Sequence, residues 1–364
     1  MSVHVPHPDL PPPAASVGAV GWARSNLFSS WFNTLLTLAA LYLLYITIPP
    51  LVKWAVIDAD FAGSTRDACT GEGACWVFIK VRFYQFMFGF YPPGEYWRAV
   101  CAFLLIGGLV VYLLVDGSPR KGWVVGFTVF VYPVIAFFLF YGGLGLEVID
   151  THKWGGLMLT LIISTVGMFF ALPFGIILAL GRQSSMPVAK SVCVVFIELW
   201  RGVPLITILF MSSVMLPIFM PEQLEIDKLA RALIGIVFFQ SAYMAEVIRG
   251  GLQAMPKGQY EAADALGLGY WPAMFLIILP QALKTVIPGI VNTFIALFKD
   301  TTLVLIIGLF DILAIIQSAF TDPKWLGFSK EGYLFAAAVF WIFCFSMSRY
   351  SQHLERKLHT GHAR

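Results

Sequence analysis

Charge is what this sequence has least of: only 12% of its 364 residues are Asp, Glu, Lys or Arg, about half the share usual in soluble domains. No stripe of Lys and Arg interleaved with aromatics is present, so no nucleic-acid partner is expected. Five cysteines are too few for a disulfide scaffold. The six histidines fall in the amino-terminal tail, one short loop and the carboxyl-terminal end, and form no cluster at metal-ligand spacing. No metal is therefore expected. A Gly-x4-Gly-Lys-Ser/Thr phosphate loop, a Gly-x-Ser-x-Gly elbow and a His-Glu-x-x-His helix are all missing, which argues against nucleotide hydrolysis or other enzymology in this chain. The first residues lack the charged start and short apolar core of a secretory signal.

Apolar residues are what remains, at 59% of the chain with 15% aromatic. They gather in runs long enough to cross a bilayer. Lipid cannot satisfy backbone polar groups, and continuous rather than alternating apolar runs favour helices over a barrel. The expected fold is all-α, with about eight transmembrane helices at roughly 32–52, 97–115, 123–144, 156–180, 191–217, 229–249, 283–307 and 332–350. Prolines and charges in the fifth and seventh admit a broken helix or a re-entrant piece.

Basic residues near the span ends give the orientation. Arg120, Lys121, Arg182, Lys190, Lys257, Lys284, Arg349, Arg356, Lys357 and Arg364 fall on one side, which is then cytoplasmic together with both termini. The opposite side also has basic residues (Lys53, Arg66, Lys80, Arg82 and Arg98 in one long loop, then Lys153 and Lys228), and is richer in acids, among them Asp58, Asp60, Asp67, Glu147, Asp150, Glu222, Glu225 and Asp227. Cys69 and Cys75 lie close together in that loop. In an oxidising periplasm they are a candidate disulfide, with two free thiols as the alternative. Cys101, Cys193 and Cys344 fall in apolar spans and read as packing residues.

The chain divides near residue 150. Residues 1–31 read as a flexible cytoplasmic tail, rich in proline between Pro6 and Pro13. Residues 32–150 form an extension with three spans and a periplasmic loop at 53–96, 151–350 a five-helix core, and 351–364 a second cytoplasmic tail. Within the core, residues 250–282 interrupt the apolar pattern as two short helices parted near Gly267-Leu268-Gly269. Glu261-Ala262-Ala263 has good helix propensity, the two alanines let another surface approach, Gly267 permits a turn and Pro280 suits a helix start. One reading is a docking surface, and the other an interfacial helix lying on the membrane.

Glu261-Ala262-Ala263, then Gly267, then Ile277-x-Leu279-Pro280 resembles the EAA loop of the permeases of bacterial ATP-binding-cassette importers. The flanks, Gln240-Ser-Ala-Tyr-Met-Ala-Glu-Val-Ile-Arg-Gly-Gly and Gln281 to Leu303, resemble the polar and general L-amino-acid branch with its MetI-like core. The core resemblance covers about 156–350. The Gly73 to Trp76 run is similar only to longer members. The resemblance implies that Glu261, Ala262, Ala263, Gly267, Ile277, Leu279 and Pro280 couple the chain to a separate ATPase. It further implies an inner-membrane subunit that moves L-amino acids from periplasm to cytoplasm with no cofactor of its own, ATP and Mg being held by the partner. The implied partners are ATPase subunits, a second permease (a homologous heterodimer is preferred), a periplasmic amino-acid-binding protein and the lipid bilayer. The alternatives are a permease for one narrow polar amino acid and, from another class, a secondary amino-acid transporter, although no inverted repeat is visible.

Ionisable residues inside spans need partners or water. Glu198 with Arg201, and Glu246 with Arg249, sit three residues apart and read as structural ion pairs on single helix faces. For the first pair, substrate contact is the competing role. Gln240, Ser241 and Tyr243 on one span, and Asn292, Lys299 and Asp300 on the next, are candidates for the substrate pathway, since an amino acid offers both a carboxylate and an ammonium. An interhelical hydrogen bond at Gln240 and an interfacial salt bridge or gate at Lys299 and Asp300 stand beside that reading.

Overall fold

The computed structural model describes residues 18–115, 117–221 and 226–358. The expected tail up to residue 17, the carboxyl-terminal end from 359 and the acids Glu222 and Glu225 lie outside them. By density of contacts the chain divides into two units, Met1–Val77 and Phe78–Arg364.

In the first unit, the region read as a tail contains a helix, α1, at Gly18–Asn26. Helix α2, Trp31–Val52, starts where the Ser30 side chain accepts a hydrogen bond from the Asn33 amide at 3.1 Å, satisfying one of the orphan donors of a first turn. It is apolar on every side and none of its residues is buried, as suits a helix facing lipid. Pro49 and Pro50 remove two amide donors, and the helix widens into a π-helical turn at Lys53–Ile57. The loop after it is folded. Asp60 accepts from the amide and hydroxyl of Thr70 at 2.7 and 2.9 Å. Cys69 and Cys75 are joined in a disulfide with Cα atoms 5.6 Å apart.

The second unit begins within a helix inside the segment expected to be loop. This is α3, Trp76–Phe88, which is too short to span and carries Lys80 and Arg82. Phe78 and Phe86 are buried in an aromatic cluster with Trp325, Phe328 and Phe335, and Arg82 pairs with Asp322. Next come α4 (Tyr96–Leu114), α5 (Lys121–Gly126) and α6 (Tyr132–Tyr141), the last two joined by a π-helical turn. Arg98, counted above with the outer loop, is fully buried on α4. Its guanidinium donates to the carbonyls of Leu139 at 2.8 Å and Glu147 at 2.9 Å, tying off the end of α6 and the turn beyond it.

Helix α7, Gly156–Gln183, and α11, Lys228–Gln253, form the centre of this unit. They approach closely through small residues: a side chain on Gly175 would meet Met244 at 2.7 Å, and one on Gly167 would meet Ile236 at 3.3 Å. Between them in sequence, α8 (Pro187–Gly202) meets the stretch Leu205–Phe219, made of α9 (Leu205–Phe210), a π-helical turn and α10 (Leu216–Phe219), at 102°. Val203 is extended and Pro204 cannot continue the helix, so the fifth expected span is a bent pair. With this pair counted as one, the described residues hold up to eight spans.

Beyond α11 lie the short helices α12 (Lys257–Ala265), α13 (Tyr270–Ala273) and α14 (Leu279–Thr285), with a π-helical turn from Met274 to Ile278. Helix α15, Ile287–Asp300, tightens into a 3-10 turn through Ile307. The chain then runs through a two-residue strand, Phe310–Asp311, into α16, Ile312–Phe320, an element that periodicity does not reveal, and the described residues close with α17, Ser329–Leu358. Phe310 and Asp311 bridge to Gly155 and Gly156, and Trp154 to Gly89. Gly89 lies so close to Gly155 that a Cβ there would meet its Cα at 2.4 Å, so the end of α3 and the start of α7 cross with no side chain between them.

Candidate functional site

The ends of α7, α8 and α11 meet in a knot of charge. Glu246 lies at its centre, with Arg249 at 2.8 Å, Arg182 at 3.0 Å and Arg201 at 3.6 Å. Glu198 binds Arg182 at 2.9 Å. The expected pairing is thereby corrected in part. Glu246 does meet Arg249, whereas Glu198 and Arg201 each turn away to a partner on another helix. The physical reason is that α7 and α11 flank α8, so a guanidinium from each neighbour offers more carboxylate contacts than one i,i+3 pair could. Arg201 also lies 5.5 Å over the ring of Tyr243, a cation-π contact. Arg182 is the residue missed by sequence reasoning: its partners are 16 and 64 positions away, and only its place at the end of a span marks it.

The knot continues into the loop that follows α11. Arg249 donates to Gln253 at 2.7 Å, the last residue of the helix. From there the chain enters α12 through Pro256. Helix α12 ends in a Schellman motif: the Leu268 amide bonds the Ala263 carbonyl at 3.1 Å, the Gly267 amide bonds Asp264 at 2.9 Å, and Gly267 sits at φ +71°. Glu261 and Ala262 face outward. Ala263 does not: it is fully buried, so of the two alanines only Ala262 is open to another surface. The reason is helical phase, since one residue must face the chain's own core.

Ile277 is half-buried, and Leu279 is buried in an apolar cluster with Leu180 of α7, Ile197 of α8 and Met244 and Ile248 of α11. Pro280 follows the π-helical turn Met274–Ile278 at the start of α14, where the widened helix accommodates its ring and missing N–H. Gln281 donates to Gln259 at 3.0 Å, tying α14 back to α12. The outer surface of the loop is apolar and open, with Leu266, Tyr270, Trp271, Phe275 and Leu276 each more than half exposed. A rigid loop is thus bolted through ion pairs and an apolar cluster to three spans, and it presents a free aromatic patch.

The candidate pathway residues do not share one surface. Gln240 lies on the stripe Ile236–Gln240–Met244 that faces α7 and is 3% exposed, and Ser241 is fully buried with its hydroxyl donating to Val237. Both sit in the packing between helices. Tyr243, Asn292 and Lys299 are exposed, and Asp300 is half-buried.

A polytopic helical subunit with a rigid, outward-facing loop fastened to its spans is the class that fold and site define: a membrane-embedded transport component. The model of the family described as the binding-protein-dependent transport system inner membrane component matches residues 171–360, and the chain belongs to that family. It is 58% identical over 356 residues to the inner membrane amino-acid ABC transporter permease protein YhdY of Escherichia coli (strain K12), covering 98% of this chain and 97% of that one. It is 41% identical over 421 residues to the glutamate/glutamine/aspartate/asparagine transport system permease protein BztC of Rhodobacter capsulatus, covering 97% and 96%. Among solved structures, one described as an amino acid ABC transporter with histidines matches at TM-score 0.50 and 30% identity, over 56% of this chain and 92% of that one.

Proposed function

We propose that this chain is the permease subunit of an ATP-driven importer that carries L-amino acids from periplasm to cytoplasm, with both termini cytoplasmic. The observation that carries the proposal is the 254–286 loop: helix α12 and the aromatic patch are exposed, while their inner side is clamped to α7, α8 and α11. An exposed apolar patch of this kind marks a partner surface. A force applied there reaches the spans through Gln253, Arg249 and Glu246. The relatives' names supply the amino-acid substrate class.

In this scheme ATP and Mg bind the partner ATPase, and closure of the ATPase pair pushes Glu261, Ala262 and the ridge after Gly267. Leu279, Pro280 and buried Ala263 transmit the movement inward. The spans then rock between inward and outward opening. Substrate handed over by a periplasmic amino-acid-binding protein passes between this subunit and a second, homologous permease, along Tyr243, Asn292, Lys299 and Asp300, while Gln240 and Ser241 hold α11 against α7. Affinity purification of the intact chain from its native membrane tests the proposal. An ATPase and a second permease should copurify, a crosslinker placed at Ala262 should reach the ATPase, and the binding protein loaded with an amino acid should stimulate hydrolysis. Uptake that persists after the ATPase is deleted would refute it.

A further inference from the structure

A second feature lies away from the coupling loop. The angle between α8 and the α9–α10 stretch, closed at the back by α11, encloses a cavity of about 480 Å³. Trp200, Val203, Met211, Phe219 and Phe238 are among its apolar walls, and the one charged residue in the lining is Arg231. Arg231 sits at the fourth position of α11. Its Nε is buried and has no hydrogen-bond partner, and no ion pair formed among the described residues includes it.

The nearby carboxylate, Asp227, is engaged elsewhere: one oxygen accepts the Thr151 hydroxyl at 2.5 Å and the other the Ala230 amide at 3.1 Å. Lys228 and Arg231 both occupy the first turn, where the positive end of the helix dipole already disfavours a cation. Among the described residues, nothing therefore balances the charge of Arg231. The groove is also open sideways, since Leu199 and Phe219 are more than half exposed. From Arg231 to Phe238 the groove runs roughly 10 Å down a spanning helix, so what fills it lies at the depth of lipid.

We propose that this groove seats one acyl chain of an anionic phospholipid, with its phosphate diester held by Arg231. The apolar walls take the chain in place of a neighbouring helix, and the guanidinium fork matches two phosphate oxygens. Bound there, the lipid wedges the bend between α8 and α9, the joint next to the charged knot on Glu246.

Native mass spectrometry of the full chain, released from micelles containing equal phosphatidylglycerol and phosphatidylethanolamine, reads this directly. The wild-type chain should retain phosphatidylglycerol about fivefold over phosphatidylethanolamine, the preference one basic residue confers near a membrane surface. Arg231→Gln should hold both lipids equally. Arg231→Lys should keep part of the preference, which separates loss of charge from loss of fold. Met215→Trp, which fills the groove from the α9–α10 side, should lose both lipids. Inorganic phosphate at millimolar concentration should displace neither. Equal retention of the two lipids by the wild type, an undiminished preference in Arg231→Gln, displacement by phosphate, or a groove covered by a second copy of the chain with no lipid retained would each overturn the proposal.

Discussion

Glu246 stands against three arginines with its side chain 15% exposed, whereas Glu198 meets one arginine and is 55% exposed. Burial decides which carboxylate matters. Glu246→Gln should lower the stability of the solubilised chain by about 2–3 kcal/mol, because guanidinium groups in a medium of low dielectric lose their counter-charge. Glu198→Gln should cost less than about 1 kcal/mol. Equal losses in a denaturant or thermal series would refute the ranking. Gly267 is a different kind of residue. Its surroundings are open, so a side chain there meets nothing, and the cost of Gly267→Trp is the backbone at φ +71°, about 1–2 kcal/mol of local strain. The variant should still insert and assemble while uptake fails and ATP hydrolysis continues, measured side by side in proteoliposomes.

Asp311 caps α16, accepting from the Leu313 and Ala314 amides at 3.2 and 2.9 Å. Burial pushes its pKa up to about 6 against the lowering effect of those two amides. The folded chain thus holds this proton more tightly than the unfolded chain does. The group's contribution is complete below about pH 4 and is lost as pH rises through about 6. Asp311→Asn keeps a capping oxygen and removes the titration. Its unfolding temperature should exceed the wild type's by more at about pH 8 than at about pH 5; a gap independent of pH would remove the assignment.

At the scale of elements, the contact between α7 and α11 rests on glycine. Gly175→Leu would drive a side chain into Met244 and the backbone of Ala245, an overpacking worth about 1–3 kcal/mol. Gly250→Ala, on the same α11 but facing open space, should be neutral or stabilising by up to about 1 kcal/mol. Thermal unfolding of the two variants separates close packing from helix propensity. The elements readable in the sequence are the long apolar ones, because a span is defined by length and composition alone. Pro204 likewise announced the bend after α8, though not its angle. Helices α3 and α16 escaped because thirteen and nine residues are too few to span a bilayer and look like loop until the surfaces that bury Phe78 and Phe86 or receive Ile312 are in place.

For the whole molecule, the apolar clusters around Trp154 and around Leu279 each gather residues far apart in the chain. The candidate site was legible where chemistry is local. Glu261 to Gly267 forms its helix and Schellman turn from adjacent residues, and Pro280 marks the change from π-helical turn to α14. It was illegible where partners are remote. Nothing in the neighbourhood of Arg182, Arg98 or Arg82 names Glu246, the Leu139 carbonyl or Asp322.

Composition and apolar run length determined by themselves that this protein is helical and lives in a membrane, since a backbone in lipid has few ways to satisfy its own hydrogen bonds. They also set the loop after α11 apart, because a polar helix between two spans ends in a turn that glycine takes without strain. Only the tertiary structure decided which face of that helix is free, which carboxylate gathers the arginines, and that Gln240 is packed inside the chain. Those outcomes depend on which helices approach one another, and the separation of interacting residues along the chain carries no record of it.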